Sequence, residues 1–232
     1  MGTKMTDKKI ETESLGDQIH QLRRSYEKGE LNENSVSASP FNQFEEWFSD
    51  AQSANLAEPN AMIVATVDKN QCPNTRTVLL KKFNTDGFVF FTNYGSQKAK
   101  EIEQNPNVTL QFLWLDLERQ VKIRGRAHRI SKQESMSYFF SRPKGSQLGA
   151  WVSEQSQVVS SRSVLLNQFA KLKQQFKDGD IEFPTFWGGY RIVPDYFEFW
   201  QGGKDRIHDR IAYEKLDAEE SALEWHIKRL AP

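Results

Sequence analysis

Apolar residues recur with two different periods along this chain, and each change of period marks an element. From Pro40 onward, Phe41, Phe44, Trp47, Phe48 and Ala51 follow helical spacing and predict a helix to about Asn55. Strand patterns follow at 61–67, 75–81 and 87–93, the first two separated by a turn over 68–74, and they read as antiparallel hairpins. A short helix is predicted over 96–104, stopped by Asn105-Pro106. The clearest alternation comes next, with Val108, Leu110, Phe112 and Trp114 on one strand face. Its predicted partner strand, 120–130, alternates Val121, Ile123, Gly125 and Ala127 with Gln120, Lys122, Arg124, Arg126 and His128, and Gly125 marks an expected bend. Helices are predicted near 131–141 and 160–177, the second through Val164, Leu165, Phe169, Leu172 and Phe176. Strands return at 197–200, 211–215 and 224–229. Many short strands without alternating βα units predict a mainly β protein with flanking helices, an antiparallel barrel rather than a doubly wound sheet.

The start of the chain breaks this pattern. Residues 1–40 are polar and rich in Lys and Glu, with one helical candidate at 19–28 carrying Leu22, Arg23, Arg24 and Tyr26. They are expected to form a mobile arm on a single domain of residues 41–232. Thirty-one Lys and Arg balance thirty-one Asp and Glu, so the chain as a whole has no field for coating a nucleic acid or an anionic membrane. Cys72 is the only cysteine, which rules out an intrachain disulfide and a thiolate metal site and suits a reducing compartment. With no apolar run of about 18 residues and no signal-peptide pattern, a cytoplasmic protein is expected.

The usual catalytic signatures are missing: no nucleophile elbow, Walker loop, H-E-x-x-H or G-x-G-x-x-G is present. An enzyme that borrows its chemistry from a bound cofactor needs only binding groups, and three clusters supply them. Arg76 and Lys81 flank a predicted strand, and Lys98 opens the helix after Asn93-Tyr94-Gly95-Ser96, which together suit a phosphate; singly, each reads equally well as a solvated strand edge. Tyr138, Arg142 and Ser146 lie four apart and would converge on a second anion if the helix persists. Pro143 argues that the helix stops and places Arg142 and Ser146 on the following loop, which still permits convergence; the alternative is an ordinary helix C-terminus with a basic cap. The run Trp200-Gln-Gly-Gly-Lys-Asp-Arg206-Ile-His208-Asp-Arg210 joins an aromatic, a glycine pair and a histidine; if extended, it points Arg206 and His208 the same way. The alternative is a hairpin loop whose Arg and His pair with Asp205 and Asp209. No other histidine has a partner at metal-ligand spacing, and no metal is expected.

Taken together, the strings RTVLLK (76–81), FFTNYGSQK (90–98), LERQVKIRG (117–125), SRPKGSQLGAWVSEQS (141–156), FWGGYR (186–191) and FWQGGKDRIHDR (199–210) resemble the pyridoxine 5′-phosphate oxidase family over nearly everything from Leu22 to the C-terminus. The resemblance implies an FMN-binding, antiparallel split β-barrel, homodimeric, with active sites at the subunit interface. It implies FMN contacts from Arg76, Thr77, Val78, Leu79, Leu80, Lys81, Phe91, Thr92 and Lys98, completed by Gln120, Gln155, Ser156, Trp200 and Arg210. It implies substrate-phosphate contacts from Lys81, Tyr138, Arg142 and Ser146, with Arg206 and His208 as catalytic residues beside the substrate ring and Arg23, Arg24 and Tyr26 closing over it. The implied reaction oxidises pyridoxine 5′-phosphate or pyridoxamine 5′-phosphate to the aldehyde, with oxygen as electron acceptor and peroxide as product. Two positions depart from the family pattern: Gln97 replaces a common Arg and Phe91 a common Tyr. The rival readings are another split-barrel flavin oxidoreductase and a non-catalytic pyridoxal phosphate carrier.

Overall fold

In the computed structural model, residues 16, 19, 22, 24–177, 179–216 and 225–232 are described. Helix α1 (Pro40–Ser53) begins with a proline, whose fixed φ suits a first helical turn. Its apolar stripe buries Phe41, Phe44, Trp47 and Ala51. Phe44 meets Phe88 at 4.9 Å and Phe112 at 5.0 Å, and Trp47 meets Phe199 at 5.3 Å, so α1 covers the apolar side of a sheet with an aromatic core.

That sheet contains β1 (Ala61–Val67), β2 (Pro73–Leu79), β3 (Lys82–Asn84), β4 (Gly87–Asn93), β5 (Asn107–Trp114), β6 (Arg119–Arg129), β7 (Trp187–Gln201), β8 (Asp209–Lys215) and β9 (Trp225–Arg229). Its order is β2-β1-β5-β6-β7-β4-β3, with β8 and β9 continuing from β7, and every pairing is antiparallel. The long strand β7 is the pivot. β6 runs along one side of it, while β4 takes the first half of the other side and β8 the second half. The sheet therefore divides, and the molecule is a mainly β split barrel with flanking helices.

A register shift between Arg124 and Gly125 lets β6 and β7 bend together. A Cβ at Gly125 would lie 2.2 Å from the Val193 carbonyl oxygen, so the bend requires glycine there. Pro194, which has no N–H for the ladder, sits at the same irregularity.

Four further helices, α2 (Gln97–Gln104), α3 (Lys132–Ser141), α4 (Lys144–Val152) and α5 (Arg162–Gln175), flank the sheet. Phe139, Leu148, Ala150, Ile181 and Trp187 make a smaller core under α3 to α5. Three expectations are corrected. The strand expected at 75–81 ends at Leu79, and the short β3 was not predicted. Pro143 does not open a loop; it precedes α4, a helix too short and too poor in apolar spacing to be legible from the sequence. Residues 24–27 carry no helical assignment, so the 19–28 helix does not hold over that stretch.

Candidate active site

Strand β2, the end of β4, α2 and the α3–α4 corner surround one open cavity of about 450 Å³. It brings together Thr77, Val78, Leu79, Lys81, Phe91, Thr92, Lys98, Tyr138, Arg142, Ser146 and Gln155, all expected site residues, with Lys81 and Lys98 from one predicted anion cluster and Tyr138, Arg142 and Ser146 from the other.

The first cluster forms at the N-terminus of α2. Ser96 caps the helix by accepting from the Ala99 N–H, and Lys98 in its first turn is buried. The Lys98 ammonium donates to Gln155 Oε1 at 2.8 Å and Thr92 Oγ1 at 3.2 Å, both neutral acceptors. Burial, reinforced by the nearby Arg76 charge, pulls its pKa down to about 8. The loop after α4 is tied to this corner: Asn93 donates to the Ser153 carbonyl at 2.8 Å, and the Gln97 N–H donates to Ser156 Oγ at 3.2 Å. A buried cation with neutral partners at a helix N-terminus fits an anionic phosphate.

The second cluster forms where α3 ends. Ser131 and Glu134 close a capping box at its start, and Pro143 forces Arg142 into extended backbone at its end. Gln147 ties the corner by donating to the Arg142 carbonyl at 2.7 Å. The Arg142 guanidinium lies 4.8 Å from the centre of the Trp187 ring, and its buried Nη1 has no hydrogen-bond partner among the described residues. Burial lowers the Arg142 pKa and raises that of Tyr138. A buried guanidinium nitrogen left without an acceptor is costly unless a ligand supplies one. Phe91 stacks on Tyr138 at 3.9 Å and on Trp187 at 5.2 Å, forming an aromatic wall between the clusters.

The remaining expected residues lie elsewhere. Arg76 points to Glu101 at 3.1 Å and also donates to Thr66, while Leu80 is buried in the main core. Gln120, Trp200 and Arg210 are register partners and form one row across β6, β7 and β8. Arg210 is held by Glu198 at 2.9 and 3.0 Å. His208 lies 4.7 Å from Trp200 and accepts the Gly203 N–H at Nδ1, which leaves its proton on Nε2. The segment is not extended: Lys204–Arg206 is a 3₁₀ turn with Asp205 and Arg206 at positive φ, so Arg206 is exposed while His208 packs inward. The glycine pair serves the chain itself, since Gly202 makes room for Tyr26 and Gly203 for the Ile207 carbonyl. Arg24 and Tyr26 approach this second group, and Arg23 lies outside the described residues.

Sequence reasoning missed Trp187, Asn93, Ser153, Gly149 and Ala150 as lining residues. Each carried a signal only as part of a longer string: Asn93 in FFTNYGSQK, Gly149, Ala150 and Ser153 in SRPKGSQLGAWVSEQS, and Trp187 in FWGGYR.

A split barrel whose cavity joins two anion grips across an aromatic wall is the architecture of an enzyme that works on phosphorylated ligands through a bound cofactor. A family model described as pyridoxamine 5′-phosphate oxidase matches residues 48–176, and one described as the pyridoxine 5′-phosphate oxidase C-terminal dimerisation region matches 187–232. A pyridoxine/pyridoxamine 5′-phosphate oxidase 2 from Hydrogenovibrio crunogenus is 58% identical over 211 residues, covering 91% of this chain and 97% of that protein. Among solved structures, PhzG from Burkholderia lata superposes with a TM-score of 0.79 at 24% identity, covering 87% of this chain and 98% of that one. A pyridoxamine 5′-phosphate oxidase-related, FMN binding protein from Nostoc punctiforme gives a TM-score of 0.66 at 16% identity, covering 84% and 98%. The chain belongs to the pyridoxamine 5′-phosphate oxidase family.

Proposed function

We infer that this chain is an FMN-dependent oxidase that converts pyridoxine 5′-phosphate or pyridoxamine 5′-phosphate to pyridoxal 5′-phosphate. The observation that carries the reading is the single cavity that holds both Lys98, a buried ammonium with neutral partners, and Arg142, a half-buried guanidinium whose buried Nη1 has no partner among the described residues. Two phosphorylated ligands side by side match two such cations; a carrier of one phosphate ester needs only one. Lys98, Thr92 and Gln155 fit the phosphate of FMN, and Thr77, Val78, Leu79 and Lys81, which line the same cavity, would hold its remaining length. FMN, when bound, supplies the two-electron acceptor. Arg142, Tyr138, Ser146 and Lys81 grip the substrate phosphate and fix where the reacting carbon sits. The alcohol loses two electrons and two protons to become the aldehyde; the amine loses the same to become an imine, which water hydrolyses. Oxygen takes the two electrons and leaves as hydrogen peroxide.

Arg206 and His208 complete the site from a second copy of the chain. The 13 steps along β7 from Trp187 to Trp200 span roughly 43 Å of strand contour at about 3.3 Å each, and no described residue beyond Trp187 lines the cavity. One chain therefore does not bring its own Trp200 row to its own cleft, which supports a homodimer with shared sites. Leu113, next in the Gln120 row and half exposed, offers apolar surface for that contact. In this reading Arg206 covers the substrate ring and His208 orients its neighbours. In the same reading the arm expected at residues 1–40, of which 24–40 are described without a break, closes over the site, and 41–232 form one domain. The lone Cys72 suits a cytoplasmic setting. The test is an absorption spectrum of the pure protein before and after anaerobic addition of pyridoxine 5′-phosphate. Bleaching of a flavin band, with peroxide on readmitting air, is expected; a colourless protein, or a flavin that stays oxidised, refutes the reading.

A further inference from the structure

Glu118 is a carboxylate placed where neither its backbone nor its charge is at ease. It follows the 3₁₀ turn Leu115–Leu117 at φ 56, the left-handed region that glycine occupies most cheaply, and it is 3% exposed. Both features are costly, and side chains kept under such conditions tend to have a specific task. Every partner that its carboxylate has among the described residues belongs to the segment before α1. Oε2 accepts the N–H groups of Glu27 and Lys28 at 2.8 and 3.0 Å, and Oε1 faces Arg24 at 3.6 Å. Its carbonyl accepts the N–H of Gly202 at 2.7 Å, so the same residue is tied to the end of β7. Glu118 thus stitches the 24–28 segment to the strand end that leads into Arg206 and His208.

We propose that Glu118 is a positioning residue that seats this segment so that Tyr26 closes the Trp200–His208 side of the active site. Tyr26 immediately precedes the two clasped N–H groups, and its ring meets Trp200 at 5.8 Å and His208 at 5.6 Å, both edge to face. A Cβ on Gly202 would come within 2.8 Å of the Tyr26 ring, so the seat is cut to the tyrosine. Glu118 itself touches no part of the cleft that holds Lys98 and Arg142; it acts through Tyr26.

The inference rests on the oxidase reading, and the experiment separates the two. Glu118→Gly removes the carboxylate at a backbone position that glycine accepts, and Glu118→Gln keeps an oxygen for both N–H groups while losing the charge that faces Arg24. In the FMN-loaded full chain, Glu118→Gly is expected to raise KM for pyridoxine 5′-phosphate at least five-fold with kcat within three-fold. Tryptic cleavage after Arg24 or Lys28 should quicken by a similar factor, and Glu118→Gln should fall between this variant and the parent on both measures. Tyr26→Ala should reproduce the KM change, and adding Glu118→Gly to it should raise KM no more than two-fold further. If Glu118→Gly does not fold, Glu118→Gln decides by the same two measures. A parent that turns over pyridoxine phosphate, with variants that match it in KM and cleavage, overturns the inference alone, as does a double variant whose effects multiply. A parent without turnover overturns the oxidase reading and the inference with it.

Discussion

Lys98 gives a prediction in which stability and binding move in opposite directions. In the empty site the ammonium is buried against a hydroxyl and an amide, and its pKa of about 8, against an ordinary 10.5, means that the fold disfavours the charged form by about 3 kcal/mol. Because the folded pKa is the lower one, this penalty is fully present below pH 8 and is relieved as pH rises toward 10.5. Lys98→Met removes the penalty, so the FMN-free variant should melt no lower than the FMN-free parent. Binding should respond in the other direction. A charge-assisted hydrogen bond to phosphate contributes about 1.5–3 kcal/mol, so the variant should bind FMN roughly 10- to 150-fold more weakly. In the parent, FMN affinity should be flat below about pH 8, where Lys98 is already protonated, and weaken above it by up to about tenfold per pH unit. In Lys98→Met that slope should vanish. Quenching of FMN fluorescence from pH 6.5 to 10 measures all of this. A dissociation constant for Lys98→Met within three-fold of the parent, or a parent curve flat through pH 9.5, refutes the assignment of Lys98 to the phosphate.

Other consequences can be checked with single variants. Arg142→Met removes the guanidinium over Trp187 and should raise KM for pyridoxine 5′-phosphate roughly 10-fold or more while FMN affinity stays near parental; an unchanged KM would show that the substrate phosphate sits elsewhere. Arg206→Leu should lower turnover far more than a few-fold. If sites are shared between copies, mixing Arg142→Met with Arg206→Leu subunits should restore about a quarter of parental activity, since half the dimers then carry one intact site; no recovery on mixing would mean that each chain builds its site alone. Gly125→Ala drives a methyl toward the Val193 carbonyl and should cost about 2–3 kcal/mol, a fall of roughly 4–12 °C in Tm, and a shift under 1 °C would show that the bend tolerates a side chain.

Where one physical rule acted on one stretch of chain, the sequence was legible. The Val108 to Trp114 alternation became β5 with all four apolar residues buried, and the Phe41 to Ala51 spacing became the buried stripe of α1. The Gly125 bend was also readable, because a glycine inside an alternating strand marks a bulge, a bend or a close backbone approach. Failures occurred where two rules competed. Pro143 does stop α3, but a proline that ends one helix equally well starts another, and only packing of Leu148 and Ala150 against Trp187 decided for α4. Tyr138, Arg142 and Ser146 do line one cavity, with Ser146 on a second helix rather than on the continuing helix or the loop that the sequence offered. Arg206 and His208 diverge for a related reason: period-2 alternation holds only for extended chain, and this segment turns.

The acidic residues of the site framework were the least legible part. Glu101, Glu118 and Glu198 are buried and hold, respectively, Arg76, the 24–28 segment and Arg210. In sequence each is one of thirty-one acids in a chain of zero net charge, and nothing local distinguishes them from solvated surface. Their importance comes from long-range pairing: the cations read as ligand contacts are themselves long, flexible side chains, and a buried carboxylate is what fixes their direction. For Arg76 this gives the departure at Gln97 a second meaning. Gln97 donates to Glu101 Oε1 at 2.8 Å while Arg76 pairs with Oε2 at 3.1 Å, so a neutral amide at 97 leaves the single negative charge of Glu101 to one arginine. An arginine at 97 would divide that charge between two cations. The substitution thus changes how firmly Arg76 is held as well as how many positive charges surround the α2 N-terminus, and Lys98 is left as the cation in this corner that has neutral contacts and faces the cleft.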